Sequence, residues 1–76
     1  MKELIIQDKL EYFIPNKFVN FDEYQDMFYL KKKIQEILPD KPDEVVYGAI
    51  EFANTKLKPP RKKTDYINIL IEKLRE

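Results

Sequence analysis

The chain of 76 residues contains no histidine, no cysteine and no serine, and only two threonines, Thr55 and Thr64. Nucleophilic catalysis usually runs on Ser, Cys or Thr beside a base, and His is the commonest base. Soft metal sites need Cys or His. Lys, Asp, Glu and five tyrosines remain, in no arrangement that demands chemistry. The expectation is a non-enzymatic protein with no catalytic residue, no metal and no cofactor. Without cysteine, disulfides cannot reinforce the fold, although a domain this small buries only roughly 60% of its unfolded surface. Long apolar runs are also missing: nothing approaches the ~20 residues of a membrane span. The opening Met1-Lys2-Glu3-Leu4-Ile5-Ile6 is interrupted by Asp8 and Lys9 too soon for a secretory signal. A soluble cytoplasmic protein, one domain over residues 1–76, is the default expectation.

What is present is apolar enough for a core: 43% hydrophobic residues, ten of them Phe or Tyr. Disorder is not expected despite the high charge content. Net charge is zero but unevenly spread. Residues 1–30 carry three lysines against six acids, and residues 56–76 carry seven bases against three acids.

Apolar spacing predicts an all-α fold, a small bundle of three main helices over about 21–38, 41–57 and 60–76, plus a short N-terminal helix. In the first, Met27, Leu30, Ile34, Ile37 and Leu38 recur at helical spacing. Asn20 stands in the capping position with Glu23 completing a capping box, Asp22 favours the positive dipole end, and Lys31-Lys32-Lys33 and Pro39 mark the far end. In the second, Asp40 is the expected cap, Pro42 falls in the first turn, and Val46, Ala49, Ile50, Ala53 and Leu57 form an amphipathic stripe. The third presents Ile67, Leu70, Ile71 and Leu74. Ile34, Leu38, Val46, Ile50, Ala53 and this last set are expected to share one core. Ile6, Leu10 and Phe13 suit a helix over about Lys2–Phe13; the alternative is a hairpin of Leu4–Gln7 and Leu10–Ile14 around Asp8-Lys9. Pro15 ends either version. Phe21 and Phe28 offer a second stripe on which this segment can dock.

Four features bear on function. Lys56-Leu57-Lys58-Pro59-Pro60-Arg61-Lys62-Lys63 places five cations within eight residues, before a helix N-terminus. Lys56, Lys58, Arg61, Lys62 and Lys63 are thus candidate anion or nucleic-acid contacts, and replacing Arg61, Lys62 and Lys63 by Glu is expected to leave the fold intact. A solvated interhelical turn is the plainer reading, and a helix-turn-helix is poorly served by Pro-Pro where that motif often carries Gly. Gly48, the only glycine, falls opposite the core stripe with Glu44, Glu51 and Thr55. It is either tolerated there or leaves room for a partner beside Tyr47. Tyr29 and Ile69 each project among charged residues and, if they share a surface, can anchor an interface. The acidic groups Asp22-Glu23-Asp26 and Asp40-Asp43-Glu44 sit near helix starts, lack calcium-loop spacing, and read as dipole-stabilising.

The reading is a protein-interaction or regulatory module, binding an unknown protein partner or itself, with Tyr29, Tyr47, Gly48, Glu51 and Ile69 as candidate contacts. Its rival is a nucleic-acid-binding module that uses the turn Lys56–Lys63 and the start of the C-terminal helix, distinguishable by strong salt dependence.

Overall fold

The computed structural model describes the backbone of residues 2–75 and the side chains of residues 7–75, so Met1, Glu76 and the side chain of Ile6 lie outside the described residues. The chain is mostly helical. Four helices, α1 (Lys2–Phe13), α2 (Tyr24–Ile37), α3 (Asp43–Lys56) and α4 (Lys63–Leu74), alternate with two short strands, β1 (Phe18–Val19) and β2 (Arg61–Lys62). The strands pair antiparallel, Phe18 opposite Lys62 and Val19 opposite Arg61. The N–H of Lys63 donates to the Lys17 carbonyl at 2.9 Å just beyond this ladder. Among the described residues no helix is long and apolar enough to cross a membrane.

The N-terminal segment is a helix, not a hairpin. Leu10 and Ile14 are one turn apart, both buried, and the Ile14 N–H donates to the Leu10 carbonyl. Asp8-Lys9 supplies no glycine or asparagine for the left-handed turn that a two-residue hairpin prefers. Pro15, lacking an N–H, follows directly after.

The N-terminal helix, found over Lys2–Phe13, packs as the other three do. Each of the four packs on two neighbours, with α1 against both α2 and α4, and α3 against both α2 and α4. Among the described residues the diagonal pairs α1/α3 and α2/α4 do not meet backbone to backbone. The proposed docking stripe of Phe21 and Phe28 is therefore not used as such. Phe28 is exposed, while Phe21 precedes α2 and lies in the core with its ring centroid 5.6 Å from that of Tyr66.

The core follows the apolar stripes closely. Ile34, Val46, Ile50, Ala53, Ile67, Leu70, Ile71 and Leu74 are buried together, and Leu38 is only partly buried at their edge. Tyr66, fully buried, joins them.

Helix starts differ from expectation. Asn20 does not cap a helix from Phe21; its Oδ1 accepts the Asp22 N–H at 3.3 Å in a local turn, and α2 begins only at Tyr24. Asp40 does not cap α3, whose first residue is Asp43 and whose first carbonyl acceptor is that of Pro42, reached by Val45 and Val46 N–H. Residues 61–62 are drawn into the β1–β2 pair, so α4 starts at Lys63 and not at 60, and ends at Leu74. Lys31, Lys32 and Lys33 lie inside α2, before its last turn.

Candidate interaction surfaces

The basic turn divides between inward and outward cations. Arg61 is only 4% exposed. Its Nη1 and Nη2 donate to the two carboxylate oxygens of Asp22, both at 3.1 Å, Nη2 also reaches the Asn54 carbonyl at 3.0 Å, and Nε donates to the Leu57 carbonyl at 2.6 Å. Asn54 Nδ2 in turn donates to the Phe21 carbonyl at 3.0 Å, and its Oδ1 accepts the Tyr66 hydroxyl at 2.6 Å. Burial pushes that hydroxyl's pKa well above the ordinary tyrosine value. Lys63 Nζ donates to the Ile14 carbonyl at 3.0 Å and stands 3.5 Å from that of Glu11.

Arg61 and Lys63 thus hold the segment before α2 and the end of α1 against the turn. Lys56, Lys58 and Lys62 remain exposed. Replacing Arg61 by Glu would set a carboxylate against Asp22 in a buried position, so the triple reversal at 61–63 cannot leave the fold intact. Residues 57–62 separate α3 from α4, too long a link for a helix-turn-helix turn of three or four residues.

On α3 the expected group of Tyr47, Gly48 and Glu51 splits. Glu44, Glu51 and Thr55 are exposed beside half-buried Gly48, and a Cβ built on Gly48 meets nothing within 4 Å. Gly48→Ala is therefore expected to stabilise the protein by about 0.5–1 kcal/mol through helix propensity and a less flexible unfolded chain. Urea unfolding measures it, and a destabilised variant would show that the added methyl is obstructed.

Tyr47 turns instead to the α2–α3 seam. It stacks on Tyr24 with centroids 6.2 Å apart, and its hydroxyl pKa is raised by burial and then by Tyr24. Lys31, 7% exposed, sets its ammonium 4.8 Å from the Phe28 centroid and 5.6 Å from that of Tyr47, and 3.4 Å from Asp43 Oδ2. Gln35 Nε2 donates to Asp43 Oδ1 at 2.6 Å and to the Lys41 carbonyl. The Gln35 hydrogen bond, then Lys31, holds the Asp43 carboxyl below the usual range. Its ionised form favours folding above that range, and the contribution is lost as pH falls through the lowered folded value.

Tyr29 and Ile69 lie beside different seams. Ile69 is one turn before Lys73, whose ammonium lies 4.9 Å from the Phe52 ring centroid at the α3–α4 seam. Tyr29 lies at the α1–α2 seam, where the Lys33 ammonium sits 5.4 Å from its ring centroid and 4.8 Å from that of Phe13.

The α1–α2 seam and β1 beside it expose three aromatic side chains. Tyr12 is 84% exposed, Tyr29 50% and Phe18 47%. Two hollows adjoin there and share Phe13. One, of about 250 Å³, lies under β1 and includes Phe18, Phe21, Asp26 and Tyr29 in its wall. The other, of about 490 Å³, opens between α1 and α2 beside Tyr12, Glu36 and Ile37. Of Tyr12, Phe18 and Tyr29, only Tyr29 stands among the candidate contacts read from the sequence. Tyr12 was legible too, because helical spacing places it opposite Leu10 and Ile14. Phe18, in a strand of two residues, has no periodicity to reveal its side.

Among the described residues no three His, Cys, Asp or Glu side chains converge on a metal-sized point. Comparison of the chain with protein-family models, curated proteins and solved structures finds no match.

Proposed function

We propose that this protein is a small helical interaction module that engages a protein partner through the aromatic band of the α1–α2 seam. The observation that carries this reading is the gathering of Tyr12, Phe18 and Tyr29 around two adjoining hollows. Single exposed apolar residues are ordinary. Several aromatic rings beside concave surface are the arrangement in which binding hot spots form, because each ring buries much area for few frozen torsions.

The test is a comparative capture from cells of the native host. Wild-type bait, a Tyr12→Ser/Tyr29→Ser variant and a Lys56→Glu/Lys58→Glu/Lys62→Glu variant are used side by side. Both variants change exposed side chains and are expected to fold. A protein recovered by wild type and by the lysine variant, but lost with the tyrosine variant, supports the reading. Recovery unaffected by the tyrosine changes overturns it.

Nucleic-acid binding now rests on three exposed lysines, since Arg61 and Lys63 are engaged within the fold. At about 150 mM salt, duplex or single-stranded nucleic acid is expected to bind no tighter than roughly micromolar, the strength of non-specific phosphate contact. A mobility shift at sub-micromolar concentration, abolished by the triple lysine reversal, would transfer the function to the turn.

A further inference from the structure

We propose that the hollow beneath β1 receives an alkylammonium ion, the head of a lysine side chain carried by the protein partner; this rests on the interaction reading and names what the seam recognises. Four aromatic residues, Phe13, Phe18, Phe21 and Tyr29, line it together with Asp26. The face of an aromatic ring carries partial negative charge and attracts a cation within about 6 Å, and cages of such rings recognise alkylated ammonium ions.

One further observation favours a cation over an apolar side chain. Lys33 lies over Phe13 and Tyr29, but it is paired with Glu36 at 3.8 Å and is not in the wall of the hollow, so a cation entering there needs a counter-charge of its own. Asp26, exposed in the first turn of α2, has no hydrogen-bond or ion-pair partner among the described residues. The helix dipole explains an acid at that position, and a cation entering the hollow gives its charge a counter-ion. An aliphatic occupant would gain from the rings alone and nothing from Asp26.

The test uses the full chain with ¹³C-labelled aromatic rings, titrated with Nα-acetyl-Nε-trimethyllysine amide. This probe cannot donate a hydrogen bond from its head, so the ring–cation attraction is read directly. A neutral analogue, with carbon in place of the quaternary nitrogen, is titrated in parallel. The expected result is saturable shifts of the Phe13, Phe18 and Tyr29 ring signals by the cation, with the neutral analogue about tenfold weaker. Asp26→Asn should weaken the cation several-fold and leave the neutral analogue unchanged. Equal binding of the two probes, no ring shifts up to about 50 mM probe, or an Asp26→Asn variant that binds the cation as tightly would each overturn the proposal. Loss of the cation response alongside tyrosine-dependent partner capture refutes only the alkylammonium assignment, whereas tyrosine-independent capture refutes the seam itself.

Discussion

Ile50→Ala is expected to lower the free energy of unfolding by about 2–5 kcal/mol, against a total of roughly 4–11 kcal/mol for a domain of this length. Ile50 is fully buried in the middle of α3, the helix that packs on both α2 and α4. Collapse of the cavity would require two helices to move inward at once, and each is tied elsewhere. α2 is held to α3 by Lys31 and Gln35 on Asp43, and α4 is anchored by Tyr66 on Asn54. The loss should therefore lie toward the upper part of the range that such substitutions show. Urea unfolding provides the number, with a shifted midpoint and an unchanged slope as the signature of altered stability alone. A change below about 1 kcal/mol would remove Ile50 from the core and with it the phase assigned to α3.

The helical stripes were legible because burial on one face of a helix repeats every 3.6 residues. Ile34, Val46, Ile50, Ala53, Ile67 and Leu70 all obey it and all are buried. Tyr66 was as legible by spacing, one turn before Leu70, although it carries a hydroxyl that needs a buried partner. Its burial depends on Asn54, an acceptor on another helix that no local pattern announces. Boundaries failed for the same reason. Asn20, Asp22 and Glu23 spell a helix start by local hydrogen-bonding logic, yet the backbone there answers to Arg61, distant in sequence, and to pairing of Phe18–Val19 with Arg61–Lys62. Strands of two residues leave no alternation to read. In the candidate sites, composition counted the cations of the turn correctly but not their directions. Arg61 and Lys63 spend their donors inside the fold, while Tyr29 and Ile69, alike in their charged surroundings, belong to different seams.

Asp22→Ala is expected to cost about 2–4 kcal/mol, although Asp22 has nearly half of its side chain exposed. An acid at a helix start acting only on the dipole contributes at most about 0.3–1 kcal/mol, less for Asp22, which precedes the first turn of α2, and an exposed ion pair about as little. The difference lies with Arg61. Its guanidinium is buried, and without Asp22 it would keep its full charge while facing only the carbonyls of Asn54 and Leu57. Removing one partner of a fully buried pair costs about 3–5 kcal/mol; water reaching Asp22 reduces that here. Arg61→Lys should be costly as well, because a single ammonium cannot span both carboxylate oxygens and two carbonyls at once as the planar fork does. A double-mutant cycle of Asp22→Ala with Arg61→Met separates the pair from its surroundings, and a coupling of about 1.5–3 kcal/mol is expected. Because the cation is buried, most of that coupling should survive in 1 M salt, where the Debye length falls to about 3 Å and an exposed pair would be screened away. Additive single losses, or a coupling that vanishes in salt, would reduce the pair to surface decoration and leave the hold of β2 on the segment before α2 to the backbone ladder and Asn54.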